Sequence, residues 1–315
     1  MKNLGAPWFL FRIIIENAAA VCYNLAMNYA RVKSYAKINL TLDITGVENG
    51  FHMIDSVVAS IDIYDLITAK KRRDGQVFVT MHGCGSENIP PENNNAVKAA
   101  EAFVKEFSTG GADITVWKNI PMGAGLGGSS ADVAGVLNAM AKLYGVSDFA
   151  ALKGLADGLG SDCGYMLTGG WARISGRGEV VKRLNCGMKL DIGLLVPRGG
   201  VSTAQCYRLS DSLPAGARTS CAAENALVAD DKPSLCKSLS NGLTAAAVRL
   251  NGDVGECIKE LKEFDPLGVN MTGSGSGVYA VFENDQFLRY AQSRYRGKYE
   301  FIPTKTVTVR EEKDG

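Results

Sequence analysis

Four glycines and two serines crowd into the run Pro121 to Leu137, Pro-Met-Gly-Ala-Gly-Leu-Gly-Gly-Ser-Ser-Ala-Asp-Val-Ala-Gly-Val-Leu. The glycines are Gly123, Gly125, Gly127 and Gly128, and Ser129 and Ser130 follow them. Glycine has no Cβ and tolerates positive φ, so such a loop can bend sharply and bring bare backbone against a ligand. Beyond it, Val133, Val136, Leu137, Met140 and Leu143 recur at helical spacing. This predicts a helix from about Ala131, with Ser129 and Ser130 as its capping residues. The first amides of a helix lack internal partners and carry partial positive charge. A glycine loop that feeds such an end is a phosphate cradle. The run has no Gly-Lys-Ser/Thr ending, which excludes a Walker A loop. Its Gly-x-Gly-x-x-Gly spacing has no acidic residue closing a strand about 20 residues on, which excludes a dinucleotide fingerprint. A merely flexible turn would not require glycines, paired serines and an apolar helical stripe together.

Other elements must hold groups around this cradle. Residues 32–44 alternate, with Val32, Ala36, Ile38, Leu40, Leu42 and Ile44 on one side and Lys33, Lys37, Asn39, Thr41 and Asp43 on the other. This reads as one half-buried strand with Lys37 and Asn39 on its wet face. Taken alone, a lysine there is simply solvated. Gly50, Phe51 and His52 read as a loop, and Ile61 to Asp65 as the next strand. Val77–Met81 and Asp113–Trp117 read as strands, the second delivering the chain into the glycine loop. Asn95–Phe107 and Ser147–Leu159 read as helices, the latter ending at Gly160-Ser161-Asp162-Cys163. Trp171–Arg183 suits a hairpin with Gly176-Arg177-Gly178-Glu179 near its turn. Leu190–Val196 opens a second αβ region, with helices from Val201, over Asn241–Leu250 and over Asp253–Phe264. There, Met271-Thr272-Gly273-Ser274-Gly275-Ser276-Gly277 precedes a strand over Val278–Phe282, which makes it a tight strand-entry loop rather than a linker.

The 315 residues suffice for one large or two modest domains, with 46% hydrophobic and 21% charged residues. A formal net charge of +1 points to neither nucleic acid nor an anionic membrane, and the run Lys70-Lys71-Arg72-Arg73 reads as a solvated strand end. Eight cysteines without a Cys-x-x-Cys pair, and two histidines, argue against zinc and suit a reducing cytoplasm. The apolar run from Trp8 to Ile15 is too short to span a bilayer and contains Arg12.

The run Pro121 to Ala131 resembles the ATP-binding motif of the GHMP kinase superfamily, which includes galactokinase, homoserine kinase, mevalonate kinase and phosphomevalonate kinase. The resemblance extends from Val32 to about Val309 and is strongest to the branch whose acceptor is diphosphocytidyl-methylerythritol, in non-mevalonate isoprenoid synthesis. It implies an α+β fold in two domains. The first, over residues 28–188, would be ribosomal protein S5 domain 2-like, and the second, over 189–311, ferredoxin-like. Chains of this family begin just before the first strand, where Met27 stands. Residues 1–27 are therefore read as an extension, with an added amphipathic helix as the alternative.

The resemblance also implies roles. ATP would lie along Pro121, Met122, Gly123, Ala124, Gly125, Leu126, Gly127, Gly128, Ser129, Ser130 and Ala131, with Gly273, Ser274 and Gly275 closing from the second domain. Ala36-Lys37-Ile38-Asn39-Leu40 is similar to the family's signature strand, in which the lysine lies in the active site and the asparagine contacts substrate. Gly50-Phe51-His52 resembles Gly-Tyr-His, whose ring stacks on cytosine and whose histidine bonds the base edge. Phe51 keeps the π face that stacking needs. Ser161-Asp162 resembles the loop carrying the catalytic base, and Gly164 replaces a usual proline, a change expected to loosen that loop. Gly176 to Glu179 resembles the family's Gly-x-Gly-Glu stretch. Thr203 and Tyr207 fall in a substrate-wall pattern. ATP and Mg²⁺ are the implied cofactors, with no metal ligand assigned to a side chain, and the chain is expected to be a monomer or homodimer with a small-molecule substrate. Two further readings stay open: homoserine or a mevalonate-type alcohol as acceptor, and a non-catalytic nucleotide sensor.

Overall fold

The structure, a computed structural model, describes residues 28–86 and 89–308. The extension read over 1–27 lies outside the described residues. A single long strand organises the first part of the chain. This strand, β3, runs over Phe51–Lys71, after β1 (Tyr29–Asn39) and β2 (Thr41–Glu48). It is rich in β-branched and aromatic residues, which suit a pleated surface packed on a face. One of its edges pairs with β2 and β1, and the other with β5 (Ala112–Trp117) and β6 (Trp171–Gly176). β4 (Phe78–His82) lies parallel to β5, and β7 (Val180–Arg183) extends β6. The eighth strand of this sheet, β9 (Ser240–Asn241), comes from the second half of the chain and pairs parallel with β2.

The segment expected to be one strand over 32–44 is two. A register shift between Tyr35 and Ala36 and a break at Leu40 separate them, and the Leu40 carbonyl accepts from Ser240 N at 3.2 Å. Beyond Lys33, which is exposed, the polar side of this segment is not wet. Lys37, Asn39, Thr41 and Asp43 are 4%, 2%, 0% and 4% exposed. The second half of the chain covers that side: Thr41 Oγ1 meets Ser220 Oγ at 2.7 Å, and the Asp43 carboxylate accepts the amides of Thr219 and Ser220. Periodicity separates the two sides of a strand, but it cannot report that both are covered.

Against this sheet pack α1 (Asn95–Phe107) and α2 (Gly128–Tyr144), and on those helices pack α3 (Phe149–Leu159) and the short α4 (Cys163–Met166). The helix α2 is buried almost all round, and its carbonyl at Ala131 accepts from Ser34 Oγ at 2.6 Å. Its start differs from the expectation. Gly127, at φ 74°, is the N-cap, no side chain caps it, and Ser129 and Ser130 fall within the first turn. A left-handed N-cap is open to glycine, and it frees both hydroxyls from capping.

A second, antiparallel sheet has the order β10-β11-β8-β12, formed by β8 (Asp191–Val196), β10 (Gly268–Met271), β11 (Val278–Phe282) and β12 (Glu300–Lys305). It carries α5 (Thr203–Ser210), α6 (Ser220–Val228), α7 (Lys232–Lys237), α8 (Thr244–Leu250), α9 (Gly252–Lys262) and α10 (Asp285–Arg294) in its connections. The sequence reading took Asn241 into a helix; it belongs to β9, and α8 starts at Thr244. Tyr279, fully buried on β11, donates its hydroxyl to the Asn39 carbonyl at 2.9 Å and ties the two sheets together. The fold is thus the two-part α+β arrangement expected, with both parts meeting at the end of β1. No helix among the described residues is long and apolar enough to cross a membrane.

Candidate active site

The two glycine loops meet at the joint between the sheets. Gly123, Gly125 and Gly127 all have positive φ, at 69°, 71° and 74°. The second loop meshes with the first through backbone: Ser276 N donates to Gly123 O at 3.2 Å, and Gly277 N to Ala124 O at 3.1 Å. A Cβ on Gly125 would stand 2.1 Å from Thr272 O. The second loop is therefore a brace for the first. Ala124, Leu126 and Ala131 turn their side chains into the core, the carbonyls of Leu126 and Ala131 accept from Lys37 N and Ser34 Oγ, and Met122 is exposed at the rim. Ser274 Oγ meets Thr203 Oγ1 at 2.8 Å.

One end of the cleft runs from the glycine loop to Met81, Asn94, Asn95, Lys118 and Asp132. None of the last five residues was anticipated. Lys118, brought in from the end of β5, is buried between Asp65 and Asp132 and bonds both. Asp65 also accepts the amides of Asn119 and Ile120, at 2.6 and 2.9 Å, and so fixes the approach to the loop. Burial pushes the Asp132 carboxyl up to about 7; Lys118 opposes the rise and Asp65 adds to it.

At the centre, Lys37 Nζ lies 3.4 Å from Asp162 Oδ2 and donates to Asn39 Oδ1 at 2.6 Å. The Lys37 amide donates to Leu126 O at 3.0 Å, which fixes this lysine to the glycine loop. Asn39 was expected to touch substrate. It lines the central cleft; its Oδ1 accepts from Lys37 and from Gly273 N, and its Nδ2 donates one of two N–H groups to Ser56 Oγ. It orients the lysine and anchors the second loop. Asp162 opens α4 with its side chain 29% exposed. Gly164 does not loosen this turn. It is buried in α4, and a Cβ there would stand 2.2 Å from Asp157 Oδ1, so glycine permits close packing on α3.

The far end holds Phe51 and His52. They begin β3 in register with Glu48 and Val47, across a turn in which Asn49 and Gly50 have φ 50° and 79°. A tight hairpin, not a free loop, presents them. Phe51 is 55% exposed, with the Arg177 guanidinium 5.0 Å from its ring centre. The His52 ring lies 4.8 Å from that of Tyr207, and His52 Nε2 is 2.6 Å from Asp211 Oδ1. A carboxylate only accepts, so Nε2 carries the proton of this bond, and Nδ1 is the nitrogen left over for a ligand. Asp211 lies 159 positions from His52 and gave no sequence signal. Arg177 stood inside a quoted motif without a role.

The three regions join. Gly125, Gly127, Gly128 and Ser129 line both the first end and the centre, and Ser161, Arg177 and Tyr207 line both the centre and the far end. Lys37 and Asp162 both line the centre, between the two ends.

Comparison with known proteins bears on the family and the fold. Residues 94–171 match the GHMP kinases N terminal domain, and residues 223–297 the GHMP kinases C terminal domain. A 4-diphosphocytidyl-2-C-methyl-D-erythritol kinase of Clostridium beijerinckii is 32% identical over 278 residues, 86% of this chain and 98% of the relative. One of Desulfitobacterium hafniense is 37% identical over 264 residues, 82% of this chain and 89% of its own length. Among solved structures, a 4-(cytidine 5'-diphospho)-2C-methyl-D-erythritol kinase superposes with TM-score 0.73 at 28% identity, covering 88% of this chain and 98% of that one. A homoserine kinase from Cytophaga hutchinsonii, at 17% identity and TM-score 0.67 over 89% and 95% of the two chains, shares the fold.

Proposed function

The chain belongs to the GHMP kinases, and from that premise we propose that it transfers the γ-phosphoryl group of ATP to the 2-hydroxyl of 4-diphosphocytidyl-2-C-methyl-D-erythritol, a step of non-mevalonate isoprenoid precursor synthesis. It is an ATP-dependent small-molecule kinase. The observation that carries the reading is the continuous cleft, with a glycine loop at one end, aromatic residues and a histidine at the other, and Lys37 3.4 Å from Asp162 between them.

Phosphoryl transfer depends on alignment and charge neutralisation more than on covalent help. The amides of Gly125 to Ser129 bind the phosphates at the start of α2. Phe51 and Tyr207 hold the base, and His52, fixed by Asp211, reads its edge. The acceptor oxygen attacks the γ-phosphorus as the bond to the β-bridging oxygen breaks, and Asp162 takes the hydroxyl proton. Lys37 stabilises the charge that develops there. Among the described residues no group of three or more His, Cys, Asp or Glu could hold a metal. Mg²⁺ needs only one or two protein oxygens when phosphates and water supply the rest. The hydroxyls of Ser129 and Ser130 and the Asp162 carboxylate line the central cleft and fit that requirement. A bound Mg²⁺ would neutralise charge on the β- and γ-oxygens. The cytoplasm is the proposed compartment, and the seven cysteines among the described residues are all free thiols.

The test is coupled ADP release with three acceptors: the cytidine-bearing alcohol, homoserine and mevalonate. Turnover with the first alone is the expected result. Equal turnover with either small alcohol would overturn the acceptor assignment, and turnover with none would favour a nucleotide sensor.

A further inference from the structure

We propose that Arg177 is the clamp for the acceptor's diphosphate. This rests on the acceptor reading above. With the base at Phe51 and Tyr207 and the reacting alcohol at Asp162, the diphosphate must cross the ground between them. Ser161, Arg177 and Tyr207 line that ground from both sides, and Arg177 is the cation among them.

Its charge is not already used. Arg173, on β6 of the same hairpin, is held by Asp55 and Glu224, and Arg72 by Asp74 and Asp113. Among the described residues Arg177 makes no ion pair; its guanidinium faces the Phe51 ring at 5.0 Å. A guanidinium stacked on an aromatic face keeps its edge N–H groups free, and that planar fork matches phosphate oxygens.

Its mounting is fixed as well. The turn between β6 and β7 has Gly176 and Gly178 at φ 71° and 122°, and Arg177 N donates to Glu179 Oε2 at 2.6 Å. A Cβ on Gly178 would stand 3.2 Å from Ser161 O, so the hairpin tip lies directly against the residue before Asp162. The arginine is thus carried on a rigid tip beside the catalytic loop, over the ring that stacks the base. A lysine or methylene chain placed by a mobile loop would offer no such geometry.

The experiment titrates cytidine and CDP into wild type, Arg177→Gln, Arg177→Lys and Arg183→Gln, with steady-state kinetics alongside. Arg183, exposed on the same hairpin and outside the cleft, controls for loss of one positive charge. In Arg177→Gln, CDP affinity should fall on the order of 10- to 100-fold, as for a charge-assisted contact, with cytidine affinity held. Acceptor KM should rise by the same factor, with kcat and the KM for ATP unchanged. Arg177→Lys should recover part of the loss, and Arg183→Gln should match wild type. Unchanged CDP affinity in Arg177→Gln would overturn the clamp. So would a parallel loss of cytidine, which would make Arg177 a wall of the base site, or an equal loss in Arg183→Gln, which would make the effect one of net charge. Failure of wild type itself to bind CDP and cytidine has a different signature: it removes the acceptor reading, and the clamp with it.

Discussion

Lys37 divides its charge between two oxygens, the Asn39 amide at 2.6 Å and the Asp162 carboxylate at 3.4 Å. The shorter bond aims the ammonium; the longer leaves the carboxylate room to approach an acceptor hydroxyl. Asp162→Asn keeps size and hydrogen bonding but cannot take a proton. Its kcat should fall roughly 10²- to 10⁴-fold, the usual share of a positioned base, while ATP affinity measured by calorimetry stays near wild type. Wild-type turnover would remove Asp162 from the base role. Both residues were legible, because each sits in a motif with a recognisable pattern, although 125 positions part them. Their burial was not: alternation put Lys37 on a wet face, and only the packing of the second half of the chain closes it. Asp211 and Arg177 had no reading because their meaning is a through-space one. A histidine's partner and an arginine's freedom from partners are properties of the fold, not of any local pattern.

The glycine loop was the most legible element, yet the direction of its side-chain vectors was not. A Cβ on Gly127 would not point into open cleft. It would instead point at Met166 Cε, 2.3 Å away, and at Lys37 Cγ, 3.3 Å away. Gly127→Ala should therefore push the Met166 methyl aside and crowd Lys37, lowering kcat by a larger factor than it weakens ATP binding, on top of about 1–2 kcal/mol for the left-handed backbone. At Gly125 the obstacle is backbone, Thr272 O at 2.1 Å, which cannot swing aside. Gly125→Ala should part the two loops, lowering both ATP affinity and Tm. Calorimetric titration with ATP, together with thermal melts of the two variants, separates the effects. Equal losses of ATP affinity in both variants would contradict the assignment of one glycine to Lys37 and the other to the brace. Longer helices were read closely from periodicity, α1 to the residue, because a single apolar face dominates them, whereas the longest strand, β3, was read only over Ile61–Asp65. The short β9 and α4 were not, because their reason to form is a partner contributed from elsewhere in the chain.

On the scale of the whole molecule, the charge cluster at the glycine-loop end of the cleft links folding to pH. Asp65, Lys118 and Asp132 are 0%, 6% and 6% exposed, and two carboxylates share one ammonium. Asp65 has two amides besides Lys118, whereas Asp132 Oδ1 is buried without a partner. The proton is therefore best accommodated on Asp132, whose carboxyl burial raises from 3.8 to about 7 against the pull of Lys118. The sign follows from the difference between states. Between those two values the folded chain holds a proton that the unfolded chain releases, so this stabilising contribution is complete below about pH 4 and is lost as pH rises through about 7. Urea unfolding of wild type should give a free energy that declines between about pH 5 and pH 8, by on the order of a few kcal/mol from this site. Asp132→Asn is nearly isosteric, keeps an oxygen for Lys118 and cannot ionise. Its decline over the same range should be visibly shallower, even if its stability at pH 5 is lower. The comparison of slopes, not of absolute stabilities, decides the matter, because any packing defect in the variant adds a term independent of pH. An Asp132→Asn slope equal to wild type would mean that Asp132 stays charged in the fold and that the ion cluster is a fixed strut under the glycine loop.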